Sequence, residues 1–106
     1  MNLEPATIIK ATIGYTHDHG LYTFLITINY DSGGTQGFGH INLVNDAFLD
    51  YVKQHIPTEL GVDDWDSLVG TKVMVDSTMS NIKGIQANGD MVLLEDLIAT
   101  GNEFYI

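Results

Sequence analysis

The stretch Y-D-S-G-G-T-Q-G-F-G-H-I-N-L, residues 30–43, decides how the rest of the chain is read. It holds the end of one strand, a turn at Asp31-Ser32-Gly33-Gly34, and a return strand with two glycines in its interior. A hairpin serving only stability would not carry Gly37 and Gly39 there, because each costs roughly 0.5–1 kcal/mol relative to alanine in regular structure. In an extended strand Gly37, Gly39, Ile41 and Leu43 fall on one face, and Gln36, Phe38, His40 and Asn42 on the other. The spacing predicts a flat groove floored by backbone, filled by an aromatic ring of this chain, a partner chain or a ligand. Gln36, Gly37, Phe38, Gly39 and His40 are therefore candidate binding residues.

Upstream, residues 21–30 are the strongest strand, with Tyr22, Phe24, Ile26, Ile28 and Tyr30 on one face and Thr23, Thr27 and Asn29 on the other. Residues 6–16 alternate in the same way, Ile9, Ala11, Ile13 and Tyr15 facing opposite to Ile8, Lys10, Thr12 and Gly14. His17-Asp18-His19-Gly20 turns the chain between them. The three runs predict an antiparallel meander. Downstream, Asn45 or Asp46 caps a helix to residues 55–56 with Phe48, Val52 and Ile56, and Leu49 and Tyr51 beside them, as its apolar stripe, ended by Pro57. Asp63 or Asp64 caps a short helical turn through Trp65 and Leu68, closed by Gly70. Residues 71–78 and 81–87 predict a second strand pair, with a bulge at Gly84 where Ile82 and Ile85 break the alternation. Residues 92–99 have helical spacing in Leu93, Leu94, Leu97 and Ile98, and the apolar tail of residues 104–106 is expected to dock. The fold class expected is α+β, one domain over residues 1–106, with the antiparallel sheet packed against one main helix.

Charge is the most unusual global feature. Fourteen Asp and Glu face four lysines, with no arginine, for a formal charge of −10. Phosphate neutralisation and base readout need Lys and Arg, so direct nucleic-acid binding is not expected, nor attraction to an anionic membrane. The same field favours a partner protein with a basic surface, and it also keeps a small protein in solution. No apolar run reaches the ~18 residues of a membrane span. The start M-N-L-E-P-A-T lacks the basic and apolar regions of a secretion signal, which predicts a cytoplasmic protein. The absence of cysteine excludes disulfides and Cys-ligated metals.

Few constellations carry chemistry. His17 and His19, with His40 as a third nitrogen, offer a conceivable zinc set, but the pair falls on a turn and His40 on a different hairpin, so no metal is expected. S-G-G-T-Q-G-F-G leads into a strand with no nearby Lys or Arg, unlike a phosphate loop. Glu59, Asp63, Asp64 and Asp66 form an acidic cluster without the oxygen pattern of a calcium loop; they suit helix capping or a basic partner. Trp65 suits a binding anchor, yet a single tryptophan in a small domain belongs first to the core. The serines lie in no nucleophile elbow, and Asp18 beside His17 and His19 is the only dyad-like arrangement, so no enzyme and no cofactor are expected.

D-H-G-L-Y-T at residues 18–23, Q-G-F-G-H-I-N-L at 36–43 and L-G-V-D-D-W-D-S-L-V-G at 60–70, followed by a V-x-V strand and I-K-G-I, carry a resemblance. In that order, across residues 6–87, the chain resembles a family of small phage and prophage proteins. It departs at His40, where the family usually has Gly, at Ile41, where it usually has an aromatic residue, and in the C-terminal segment. The resemblance brings no catalytic residues. It implies phage origin and action inside an infected bacterium. The expected function is non-catalytic binding to a host or defence protein, as an inhibitor of the anti-CRISPR kind. Asp18, His19, the glycine strand and the acidic cluster would be the contacts. The alternatives are a small-molecule or nucleotide sequestering protein that uses the glycine groove, and a virion or assembly component that self-associates, as a homodimer for example, through strand edges.

Overall fold

A single bulge in the first strand sets which side chains form the core. The computed structural model describes residues 3–16, 21–79, 81–87 and 89–105. Its elements run β1 (Leu3–Thr16), β2 (Leu21–Tyr30), β3 (Thr35–Gly39), α1 (Asp46–Leu60), a 3-10 turn (Asp66–Leu68), β4 (Lys72–Ser77), β5 (Ile82–Gln86), β6 (Val92–Leu93) and α2 (Leu94–Asn102). The fold is α+β: one six-stranded sheet in the order β3-β2-β1-β4-β5-β6, every pair antiparallel, with two helices.

β1 pairs with β2 as Ile8↔Ile28 and then Lys10↔Thr27, leaving Ile9 as an extra residue. Strand side chains alternate with period two, so the insertion moves the inward face from even to odd positions. Ala6 and Ile8 are buried before it, while Ala11 and Ile13 pack against the core after it. Ile9, placed on the apolar face by simple alternation, is instead exposed. A second shift, between Asp76↔Gly84 and Ser77↔Ile82, lets both Ile82 and Ile85 point inward. The predicted bulge is therefore present beside Gly84, with Lys83 as the extra residue.

β1 joins the meander to the second hairpin by pairing Leu3–Thr7 with Asp76–Lys72. β3, at one end of the sheet, touches β5, the strand next to the other end, and Gln36 Nε2 donates to the carbonyl of Thr78, just after β4, at 3.4 Å, so the sheet curls around its core. Phe24, Ile26, Ile28, Phe38, Val75 and Ile85 fill the concave side. Each such side chain, fully buried, contributes about 1.5–3 kcal/mol.

α1 closes that side with Phe48, Val52, Ile56 and Leu60, one residue per turn of a single stripe. Asn45 is its N-cap, its Oδ1 accepting from Phe48 N at 2.9 Å. The helix does not stop at Pro57 but runs one turn further, with Pro57 buried inside it. Its terminator is Gly61 at φ 78°: Val62 N bonds the Pro57 carbonyl at 3.0 Å and Gly61 N the Thr58 carbonyl at 3.2 Å, the pattern of a left-handed glycine cap. Proline lacks one amide donor but its φ is compatible with the last turns of a helix, and here the glycine is the stronger stop.

The C-terminal helix is present, although Val92-Leu93, assigned to it by spacing, forms a short strand against β5. The tail docks in part: Phe104 lies 5.1 Å from the Phe48 ring and Asn45 Nδ2 donates to its carbonyl at 2.8 Å, while Tyr105 is exposed.

Candidate functional site

The glycine hairpin is built differently from the groove its sequence suggests. β3 ends at Gly39, and Gly39 (φ 128°) and His40 (φ 61°) both take left-handed backbone. Two such residues break the alternation, which is why Phe38 and Leu43, of opposite parity, are both buried. Beyond the break the chain still follows β2, through His40 N to Phe24 O and Leu43 N to Tyr22 O, each 2.8 Å. Gly37 lies on the outer face, where a β-carbon would meet the Leu25 side chain at 2.9 Å. Gly39 is closed off by Phe24, whose carbonyl oxygen would stand 2.5 Å from a β-carbon. The two glycines therefore do not share an open floor. Phe38 is core, and Gln36 accepts from Tyr30 Oη and reaches Thr78, a seam between β3 and the chain just after β4. Asp18 and His19, with His17, lie outside the described residues.

The acidic cluster has a different fate. α1 exposes two flanks opposite its buried stripe, and a cleft runs along each. On one flank Tyr51, His55 and Glu59, spaced four apart, face Asp90, Met91, Asp96 and Thr100 across a cavity of about 210 Å³. Tyr51 and His55 stack with centroids 5.0 Å apart and planes 13° from parallel; Phe104 stands 5.8 Å from Tyr51. On the other flank Asp50, Lys53, Gln54 and Thr58 face Asp63, Asp64 and Trp65 across about 640 Å³. Glu59 thus belongs to the first cleft, Asp63 and Asp64 to the second, and Asp66 lines neither.

Asp64 is held by its own turn. Its Oδ1 accepts from Ser67 Oγ at 2.7 Å and from Ser67 N at 2.9 Å. Hydrogen bonds to the ionised form favour it, so the side-chain bond first and the backbone bond second lower the Asp64 pKa below the ordinary aspartate value. Trp65 is core, 5% exposed, its ring edge-on to Phe24 at 6.0 Å. Its Nε1 is buried without a hydrogen-bond partner among the described residues.

Each cleft presents several carboxylates that can accept from Lys or Arg, and Tyr51 in the first is stacked on both Phe48 and His55. No three described His, Asp or Glu residues are placed to hold a metal ion. Sequence reading put Tyr51 beside the apolar stripe, and it does pack against the core; it missed Asp50 and His55 as surface groups, although the 3.6-residue period places them away from the Phe48–Val52–Ile56 stripe. Asp90, between β5 and β6, and Asp96, on α2, join Glu59 only through tertiary packing, which no local pattern encodes. No described helix is long and apolar enough to cross a membrane. Searches of family models, curated proteins and solved structures find no match to this chain.

Proposed function

We propose that this protein acts by non-catalytic binding, using the acidic flanks of α1 to engage a basic surface on another protein. The observation that carries this reading is the segregation of Glu59, Asp90 and Asp96 beside the Tyr51–His55 stack in one cleft, with Asp50, Asp63 and Asp64 in the other. Carboxylates from α1, α2 and the adjoining turns, gathered along the flanks of α1, suit capture of lysine and arginine side chains. The resemblance to small phage proteins points to a host or defence protein as the target, and to inhibition by occupying a basic site. The glycine hairpin lends the sequestering alternative little support, because the Leu25 side chain stands beside Gly37 on the outer face and Phe24 closes Gly39.

The test is capture from bacterial lysate by the wild type and by a Glu59→Lys/Asp96→Lys variant. A partner retained by the first, lost by the second and released by salt supports the reading. Equal capture by both at all salt concentrations rejects it.

A further inference from the structure

The β1–β2 hairpin presents a strand edge that the rest of the sheet leaves uncovered. β4 accompanies β1 only through Thr7. The bonds Ile8 N to Thr71 O (2.9 Å) and Gly70 N to Ile8 O (2.7 Å) end the pairing on that side. Among the described residues no backbone bond reaches that edge from Ile9 to Gly14, while the opposite edge stays paired with β2. Alternate backbone N–H and C=O groups of an antiparallel strand point outward, so the edge is a template for another strand.

We propose that this edge is an interface between two copies of the chain, β1 against β1 in antiparallel register about a two-fold axis at Thr12. Such an isologous contact puts Thr12 opposite its own copy, Ala11 opposite Ile13, and Lys10 opposite Gly14. Each pairing is chemically sound. A Thr–Thr cross-strand pair is favourable, Ala11 and Ile13 already lie on the apolar side, and a glycine leaves room for the lysine stem. Ile9, 46% exposed, lies at the end of the same edge.

Charge selects the occupant. From Pro5 to Tyr30 the only carboxylate is Asp18 and the only lysine Lys10, in a chain of net charge −10. A basic partner gains nothing electrostatically here. A second copy meets a near-neutral surface while the charged bodies stay apart. The dimer therefore tightens as salt rises, opposite in sign to capture of a basic partner, so failure of one reading is distinguishable from failure of the other.

The test is sedimentation of the wild type over a range of concentration and salt, with three variants. Thr12 is exposed, and the chain has no cysteine of its own. Thr12→Glu places two carboxylates face to face on the axis and is expected to weaken dimerisation about tenfold or more while circular dichroism stays unchanged. Thr12→Cys is expected to form a covalent dimer on mild oxidation far faster than Ile98→Cys, an exposed site on α2. A wild type that remains monomeric at ~1 mM, a Thr12→Glu dimer as strong as wild type, or equal cross-linking at the two cysteines overturns the proposal.

Discussion

Gly39 packs so closely on Phe24 that a β-carbon there would stand 2.5 Å from the Phe24 carbonyl oxygen and 2.9 Å from its ring. The backbone adds to the constraint, since φ is 128° at Gly39. Carbonyl and core ring cannot retreat without disturbing β2. Gly39→Val is therefore expected to destabilise the fold by about 1–3 kcal/mol or more. At Gly37 the obstacle is the end of the Leu25 side chain, which can rotate away. Gly37→Ala should stay within about 0.5–1 kcal/mol of wild type. Denaturant midpoints decide it, and equal losses at both positions would contradict this account.

Gly101 and Phe48 make a second close approach, between the two helices. A β-carbon on Gly101 would lie 2.7 Å from one ring atom of Phe48 and 2.9 Å from another. Alanine gains up to about 1 kcal/mol in helix propensity over glycine. The buried Phe48 ring has Tyr51 and Phe104 packed against it and no room to yield. Gly101→Ala should therefore be net destabilising, and hydrogen exchange should speed up in α2 and the tail before it does in β1 or β2. A more stable variant with unchanged exchange would show that the contact relaxes freely.

These two glycines mark where sequence stops specifying the structure. The hydrophobic alternation of β2 and the Phe48–Val52–Ile56 stripe are local patterns, and both were legible. Gly37 and Gly39 were legible as unusual but not as different from each other, because their roles depend on a backbone reversal at Gly39 and His40. The shift at Ile9 was hidden for a related reason. Ile8 and Ile9 are both isoleucine, so composition cannot say which one a bulge will expose. The acidic cluster was read as one unit because residues 59–66 are adjacent in sequence. The glycine cap at Gly61 turns the chain and parts Glu59 from Asp63 and Asp64.

The Asp64–Ser67 turn predicts a pH signature. Because the folded pKa is depressed, the stabilisation from this carboxylate is present above the ordinary aspartate pKa and lost as pH falls through the lower folded value. Carboxyl NMR should show Asp64 titrating below the ordinary aspartate value. Ser67→Ala removes the larger of the two bonds and should raise the Asp64 pKa towards the ordinary value. An Asp64 titration unmoved by Ser67→Ala would assign the shift to another cause.

The division of the acids between two clefts predicts how partner binding responds to mutation. Glu59 and Asp96 share a cleft, whereas Glu59 and Asp63 stand on opposite flanks of α1. Charges that contact the same group of a partner couple, while charges that meet different groups contribute more nearly additively. With a captured basic partner, Glu59→Lys and Asp96→Lys should be non-additive, whereas Glu59→Lys and Asp63→Lys should add. Asp66→Lys, in neither cleft, should alter the association rate by less than about twofold. Raising salt should weaken wild-type binding more than that of the Glu59→Lys/Asp96→Lys variant, because the variant has already lost the attraction that salt screens. Duplex DNA serves as the control ligand: a net charge of −10 should prevent measurable binding at physiological salt. If Asp66→Lys proved as damaging as Glu59→Lys, net charge rather than cleft geometry would govern recognition. If salt had no effect on either protein, the contact would be apolar, and exposed Tyr105 and Ile98 would be the next residues to replace.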